Sequence, residues 1–182
     1  MLLETKQKYR PSPRFNLLVL CTGNSARSII AEALFNAIGG RYFKAYSAGS
    51  HPTGKVNPFA VEQIGTLDDT LALRSKSWDE FGGPMAPNLD FVITVCGNAA
   101  QEICPCFSGS PLHIHWGLPD PAAVTGPDDD IRRAFTDCFE LLQGRIKMLI
   151  QQMTAETNMT QVNGLMQRLA VGTVTAPIGG GL

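Results

Sequence analysis

Apolar positions recur along the chain with two different spacings. Short, nearly continuous apolar runs predict strands at 15–21, 43–47, 89–96 and 112–116. Apolar residues at helical spacing predict helices at 28–38, 57–67, 98–103 and 128–153. Because strands and helices alternate, we expect parallel βαβ units with right-handed crossovers. The predicted fold class is α/β, a three-layer arrangement in which helices flank a four-stranded parallel sheet.

The same pattern divides the chain into regions. Residues 1–14 carry charges and prolines and predict a flexible arm, whereas residues 15–153 hold all the predicted strands and form one domain. Within that domain, residues 68–88 predict a loop with a short helical turn. Residues 154–182 are rich in Thr, Asn, Gln and Gly, so we expect a partly disordered extension with at most one short helix at 162–169.

Composition narrows the class of protein. The chain has 182 residues, 44% of them hydrophobic and 17% charged, and a formal net charge of −1, so we expect no binding to nucleic acid or to an anionic membrane. There is no apolar run of transmembrane length and no signal-peptide pattern, which predicts a cytoplasmic protein, and a monomer is the default expectation. The five cysteines are an odd count, which favours thiol chemistry over a disulfide scaffold.

The most informative motif is Cys-Thr-Gly-Asn-Ser-Ala-Arg-Ser at 21–28, between the first strand and the first helix. A loop that enters a helix N-terminus directs backbone N–H groups at one point, where the helix dipole adds partial positive charge. Arg27 adds a planar fork that fits two oxygens of a tetrahedral anion. The same field is expected to depress the pKa of Cys21. The motif predicts an oxyanion-binding loop with a nucleophilic thiol; a buried structural cysteine beside a surface arginine is the alternative.

Two more residues are expected at the same edge of the sheet. Cys96 ends the third predicted strand, and Asp120 follows the fourth. Sites in open parallel sheets lie beyond the carboxyl ends of the strands, so these residues are predicted to meet Cys21 at one rim. The alternatives are a small apolar strand residue for Cys96 and a turn residue for Asp120.

These motifs together resemble a known family. The segment 19–28, followed by Ala-Glu-Ala at 31–33, is similar to the active-site loop shared by low-molecular-weight protein tyrosine phosphatases and by arsenate reductases of the same fold. The similarity runs from about residue 15 to residue 152. The fold it implies is the low-molecular-weight phosphatase-like one.

Three other segments resemble the reductase branch, which is thioredoxin-coupled in the type that matches best. They are Tyr-Ser-Ala-Gly at 46–49, Val-Cys-Gly-Asn-Ala-Ala at 95–100 with Cys-Pro at 104–105, and His-Trp-Gly-Leu-Pro-Asp-Pro-Ala at 115–122. The phosphatases usually have an aromatic residue where this chain has Ala122 and a second cysteine where it has Ala26. Both differences favour a reductase.

The resemblance implies a role for each residue of the site. Arsenate, or phosphate and sulfate as its mimics, would be bound by Arg27 and by the backbone of Thr22, Gly23, Asn24, Ser25 and Ala26. Cys21 would attack arsenic, and Asp120 would protonate the leaving oxygen as a general acid. Ser28 would donate a hydrogen bond to the Cys21 thiolate, with a helix N-cap as its alternative reading.

Reduction also requires two electrons, which one cysteine cannot supply. The resemblance implies that Cys96 attacks the Cys21 sulfur and that Cys104 then attacks Cys96, with Cys106 as the alternative third thiol. Eight helical residues rise about 12 Å, whereas a disulfide needs Cα atoms within about 7 Å. We therefore predict that the segment 97–106 is mobile.

An external thiol would reduce the final disulfide, and no bound cofactor is expected. A third cysteine favours thioredoxin, while glutathione with glutaredoxin, or mycothiol, remain alternatives. Some reductases of this type also bind potassium beneath the anion loop, where Asn24, Glu32 and Ser47 match.

The remaining candidate residues are interpreted structurally. Cys104 and Cys106 lie near two histidines in sequence, but the spacing is not that of a common zinc module, so no such metal is expected. Cys138 is expected to pack in the core, and structural roles are expected for His51, His113, His115, Trp78 and Trp116.

The predicted function is the reduction of arsenate to arsenite in arsenic detoxification. One alternative is a phosphatase that hydrolyses phosphoesters or phosphotyrosine. The other alternative is a non-catalytic module that binds oxyanions.

Overall fold

The computed structural model describes residues 14–67 and 72–171. Three parts of the chain lie outside the described residues: residues 1–13 of the predicted arm 1–14, residues 68–71 of the predicted loop, and residues 172–182 of the predicted extension.

A four-stranded parallel sheet forms the centre of the fold, as predicted. Its strands stand in the order β2-β1-β3-β4, and each adjacent pair is parallel. The strands are β1 (Phe15–Cys21), β2 (Phe43–Gly49), β3 (Phe91–Thr94) and β4 (Leu112–His115). The third strand is shorter than predicted, because the pairing of β3 with β1 ends at Thr94. Val95 and Cys96 follow the strand and are buried.

Within 14–67 and 72–171, five α-helices and two short 3-10 helices surround the sheet. The α-helices are α1 (Arg27–Gly39), α2 (Pro58–Ile64), α3 (Gly97–Gln101), α4 (Asp128–Gln151) and α5 (Met159–Val171). The 3-10 helices are Trp78–Phe81 and Pro121–Ala123. Within the described ranges, no helix combines the length and the apolar character that a membrane span requires.

Alternation along β1 divides the apolar core between the two faces of the sheet. Leu17 and Val19 belong to the larger cluster, which is completed by α1, α4 and α5. Leu18 and Leu20 belong to a smaller cluster around Phe81 on the opposite face. Because both faces are covered, β1 is apolar at nearly every position, as the sequence shows.

The end of the chain departs from the predicted extension. Helix α5 buries Val162, Leu165, Met166 and Leu169 in the larger cluster. The indole N–H of Trp116, directly after β4, donates a 3.0 Å hydrogen bond to the carbonyl of Met166. The packed core therefore continues to α5, which is longer than the single short helix that the sequence predicts.

Candidate active site

The loop between β1 and α1 is oriented by hydrogen bonds to its outer side. The carbonyl oxygens of Thr22, Gly23 and Ser25 accept hydrogen bonds of 2.9–3.0 Å from backbone N–H groups within 51–57. In a trans peptide the N–H of the next residue points away from the carbonyl. The outer contacts therefore turn the loop N–H groups inward, toward a cavity of about 330 Å³.

The cavity brings together most residues that the sequence assigns to the site. Cys21, Arg27, Cys96 and Asp120 line it, together with the loop residues Thr22, Gly23, Ser25 and Ala26. Ala122 also lines the cavity, so a small side chain stands at the position where the phosphatases usually have an aromatic residue. Asn24 is fully buried and is not among the lining residues.

Two backbone features make the tight loop possible. Asn24 has a φ of 42°, in the left-handed region that asparagine tolerates better than most residues. Gly49 ends β2 directly against the loop, where a Cβ atom would lie 2.4 Å from the Thr22 carbonyl oxygen. A side chain at position 49 would therefore displace the anion loop.

Donors surround the sulfur of Cys21 at the base of the loop. The Ser28 hydroxyl oxygen lies 2.9 Å from the sulfur, and the backbone N–H of Asn24 donates to it at 3.1 Å. The helix N-cap is Ala26, which corrects the alternative interpretation of Ser28 as the cap. Both contacts stabilise a thiolate.

The acidity of Cys21 differs from the sequence expectation. Burial raises the pKa of the Cys21 thiol, and this effect exceeds the opposing effect of the hydrogen bonds from Ser28 and Asn24. The predicted depression of the pKa is therefore wrong for this loop, because desolvation of an anion costs more than these donors return.

Arg27 joins the anion loop to the predicted acid. One guanidinium nitrogen forms a 2.8 Å ion pair with Asp120, and the other donates to the Leu118 carbonyl at 3.1 Å. The Asp120 carboxylate also accepts from the N–H of Ala122 and caps the 3-10 helix Pro121–Ala123. Asp120 thus has the turn role as well as a position on the cavity wall.

Cys96 is the second thiol at the cavity. It is buried and caps α3, where its sulfur accepts from the Ala99 N–H at 3.4 Å. The hydroxyl of Thr22 lies 3.6 Å from the same sulfur. Cys96 therefore faces the loop that carries Cys21.

The third thiol does not share this cavity. Cys104 packs against the smaller apolar cluster, on the other face of the sheet from the core side of Cys21. Burial raises the pKa of its thiol. Cys106 is exposed. A relay from Cys96 to either thiol thus requires the segment that follows α3 to move.

A buried ion pair lies beneath the anion loop, at the residues matched to a potassium site. Asn24, Ser47 and Glu32 lie together and are linked by hydrogen bonds. The Lys76 ammonium, however, lies 3.3 Å from the Glu32 carboxylate and donates to the Arg74 carbonyl at 3.2 Å. These residues do not fit a potassium ion, because an ammonium already binds the carboxylate that would hold it.

Lys76 is a buried residue beneath the anion loop that the sequence did not predict. It lies in a segment interpreted as a loop, where one lysine among several charges carries no periodic signal. Its inward position becomes visible only when α1 brings Glu32 underneath the anion loop.

The other candidate residues have structural contacts. Cys138 is buried, and desolvation raises its pKa to about 12, so its thiol is unreactive at neutral pH. His115 lies 2.8 Å from the Thr94 hydroxyl. Trp116 is fully buried, whereas Trp78 is half-buried against the smaller cluster. Among the residues that the structure describes, no group of three or more His, Cys, Asp or Glu side chains is arranged to hold a metal.

A family model and two relatives indicate the same class of protein for this chain. The family described as low molecular weight phosphotyrosine protein phosphatase matches residues 16–159. An arsenate reductase of Oceanobacillus iheyensis is 33% identical over 132 residues, which cover 71% of this chain and 90% of that protein. An arsenate reductase of Halalkalibacterium halodurans is 34% identical over 128 residues, which cover 70% of this chain and 89% of that protein.

Solved structures agree on the fold. An arsenate reductase in the phosphate binding state matches with a TM-score of 0.59 at 22% identity, over 77% of this chain and 99% of that chain. The chain belongs to the low molecular weight phosphotyrosine protein phosphatase family. The relatives from Oceanobacillus iheyensis and Halalkalibacterium halodurans both carry the name arsenate reductase.

Proposed function

We propose that this protein reduces arsenate to arsenite, with Cys21 as the nucleophile and Cys96 as the thiol that resolves the adduct. The observation that carries the proposal is the presence of both thiols on one cavity wall, beneath inward-facing N–H groups and beside Arg27. A phosphatase has no use for the second thiol. The names of the relatives, which are about one third identical, support the same activity.

The first step forms a covalent adduct. Arsenate binds to the loop N–H groups and Arg27, and the Cys21 thiolate attacks arsenic. A sulfur–arsenic bond forms while an arsenic–oxygen bond breaks. When Arg27 turns from its ion pair with Asp120 to the bound anion, the half-exposed Asp120 carboxylate takes up a proton from solvent. Asp120 lines the same cavity and passes this proton to the departing hydroxyl, which leaves as water.

The second step is the reduction itself. The Cys96 thiolate attacks the Cys21 sulfur, so a disulfide forms and the sulfur–arsenic bond breaks. The electron pair of that bond goes to arsenic, which changes from As(V) to As(III) and leaves as arsenite. The two sulfurs together have lost two electrons.

The third step regenerates Cys21. The Cys104 thiolate, or that of exposed Cys106, attacks the Cys96 sulfur and releases the Cys21 thiolate. The new disulfide lies in a surface segment, where an external dithiol protein of the thioredoxin type reduces it by exchange. Reduction by glutathione with glutaredoxin would instead give a mixed disulfide with glutathione on the chain.

A single-turnover experiment tests the proposal. Reduced protein is mixed with arsenate in the absence of any reductant, and arsenite release and intact mass are measured. Wild type should release one arsenite per chain and lose two hydrogen masses. The Cys96→Ser variant should release almost none and should retain hydrolysis of a small aryl phosphate at the wild-type level.

Cys138→Ala is the matched control, because it removes another buried thiol that does not line the cavity. It should behave as wild type. Arsenite release by Cys96→Ser at the wild-type yield would contradict the proposal. Phosphate ester hydrolysis without any arsenite from wild type would support the phosphatase instead, and binding without either product would support the oxyanion-binding module.

A further inference from the structure

The ion pair between Lys76 and Glu32 has no part in the steps above, yet both side chains are buried. Their side chains are 8% and 12% exposed, and the ammonium nitrogen lies 3.3 Å from the carboxylate oxygen. Removing two charges from water is costly, and a buried pair is weak evidence of stabilisation by itself. Stability alone therefore does not explain this pair, and its contacts with the anion loop above it suggest another role.

Hydrogen bonds connect the pair to the nucleophile. The Ser47 hydroxyl donates to Glu32 at 2.5 Å, and the side-chain amide of Asn24 donates to the oxygens of Ser47 and Ser28, each at 2.9 Å. Ser28 in turn contacts the Cys21 sulfur. The backbone N–H of Lys76 holds the other end of the same amide group, because it donates to the side-chain oxygen Oδ1 of Asn24 at 2.8 Å.

The charge of Glu32 fixes the Ser47 end of this chain, and the amide group of Asn24, which can only donate through its nitrogen, fixes the Ser28 end. An ionised carboxylate accepts only, so the Ser47 hydroxyl must donate to it and its oxygen is left to accept from Asn24. Asn24 then donates to Ser28 as well, which leaves the Ser28 proton directed at the Cys21 sulfur. A protonated Glu32 would no longer require the Ser47 hydroxyl to donate to it, so the oxygen that anchors the Asn24 amide would lose its fixed orientation.

Lys76 favours the ionised form of Glu32. Burial raises the pKa of the Glu32 carboxyl above its ordinary value, while the Lys76 ammonium, then the Ser47 hydroxyl and, to a smaller extent, Arg74 act in the opposite direction. Arg74 is largely exposed and forms its own ion pair with Glu80. Lys76 is therefore the buried positive charge that faces this carboxylate.

We propose that Lys76 is a positioning residue whose ammonium replaces a bound monovalent cation beneath the anion loop. The ammonium contacts a carboxylate and a backbone carbonyl, which are the hard oxygen ligands that potassium or sodium prefers. It keeps the hydrogen-bond chain directed at Cys21 without a metal ion. The inference rests on one part of the proposed function, namely that the loop binds an oxyanion next to the Cys21 thiolate.

Two substitutions separate charge from shape. Lys76→Ala removes the ammonium and leaves room for an ion, whereas Lys76→Met fills the space without charge. Cys21 alkylation by iodoacetamide, followed by mass spectrometry as a function of pH, and phosphate binding are measured. Each measurement is made in potassium chloride and in tetramethylammonium chloride at equal ionic strength.

Wild type should be insensitive to the choice of salt. In tetramethylammonium, both variants should be alkylated roughly tenfold more slowly at neutral pH, the scale of one hydrogen bond to a charged group. Potassium should restore Lys76→Ala to within about twofold of wild type and leave Lys76→Met unchanged, since only the first variant has room for an ion. Lys147→Ala, which removes an exposed lysine on α4, should match wild type in both salts.

Three results would overturn the proposal. The first is alkylation of both variants at the wild-type rate in tetramethylammonium. The second is slow alkylation of Lys76→Ala that potassium does not restore. The third is recovery of the alkylation rate by potassium to the same extent in both variants. If Lys76→Ala does not fold, a wild-type pH profile in Lys76→Met overturns it alone. Because neither readout uses arsenate or Cys96, a wild type that fails to release arsenite disproves the proposed function without deciding this inference.

Discussion

The reactivity of Cys21 depends on a balance between burial and hydrogen bonding. Burial raises the pKa of its thiol, whereas Ser28 and Asn24 act in the opposite direction. The raised pKa means that the thiolate fraction, and with it the rate of alkylation, increases as pH rises from neutral toward the pKa. Any change that removes a donor moves this rise to higher pH.

Ser28→Ala removes the donor whose oxygen lies 2.9 Å from the sulfur. We expect alkylation of Cys21 at neutral pH to slow by roughly tenfold or more, because a hydrogen bond to a charged group contributes about 1.5–3 kcal/mol. Rates measured from pH 6 to pH 10 should rise later than in wild type. Thr160→Ala, which removes an exposed hydroxyl on α5, should leave the profile unchanged; an unshifted profile in Ser28→Ala would contradict the assigned role.

Which site residues the sequence could predict depended on how each one is positioned. Cys21 and Arg27 are held by one local motif, and Cys96 and Asp120 follow strands whose carboxyl ends meet at one edge. Lys76 was not predictable, because its position depends on Glu32, 44 residues away, and on no local pattern. The raised pKa of Cys21 also depends on burial, which the motif alone does not show.

The polar composition around helix α5 made the extent of this helix difficult to predict from the sequence. Its apolar residues Val162, Leu165, Met166 and Leu169 have regular helical spacing, but Thr, Asn, Gln and Gly around them suggested a disordered extension. The strands and the longer helices were predictable because their apolar residues are dense and the sheet is covered on both faces. The sequence indicated at most a short helix at 162–169, and the full length of α5 and its place in the core are shown only by its packing against β4 and Trp116.

Substitutions on α5 test whether this helix belongs to the cooperative core. Met166 is fully buried, so Met166→Ala should lower the free energy of unfolding by about 2–5 kcal/mol in urea denaturation. Met159→Ala, at a position that is 40% exposed on the same helix, should change it by less than about 1 kcal/mol. Equal, small effects would show that α5 unfolds independently of the sheet.

The thiols of the proposed relay contact the two apolar clusters that lie on opposite faces of the sheet. Cys21 and Cys96 belong to the larger cluster, whereas Cys104 packs against the smaller one. Between them α3 is only five residues long, and the backbone after it is irregular. A segment with so few internal hydrogen bonds has a low free energy of local opening, which makes it the part of the fold that can move.

Oxidation of the protein should therefore open this segment and little else. In the reduced protein the N–H groups of Ala100 and Glu102 are bonded to the carbonyls of Cys96 and Asn98. A disulfide from Cys96 to Cys104 breaks the cap of α3, so hydrogen exchange within 97–107 should accelerate by about tenfold or more. Exchange in β1 should stay unchanged, because its N–H groups are protected by pairing with β2 and β3 on either side. Exchange in α4 should also stay unchanged, because the N–H groups of this long helix are protected by its own hydrogen bonds. Full protection of α3 in the oxidised protein would contradict a relay that runs through Cys104.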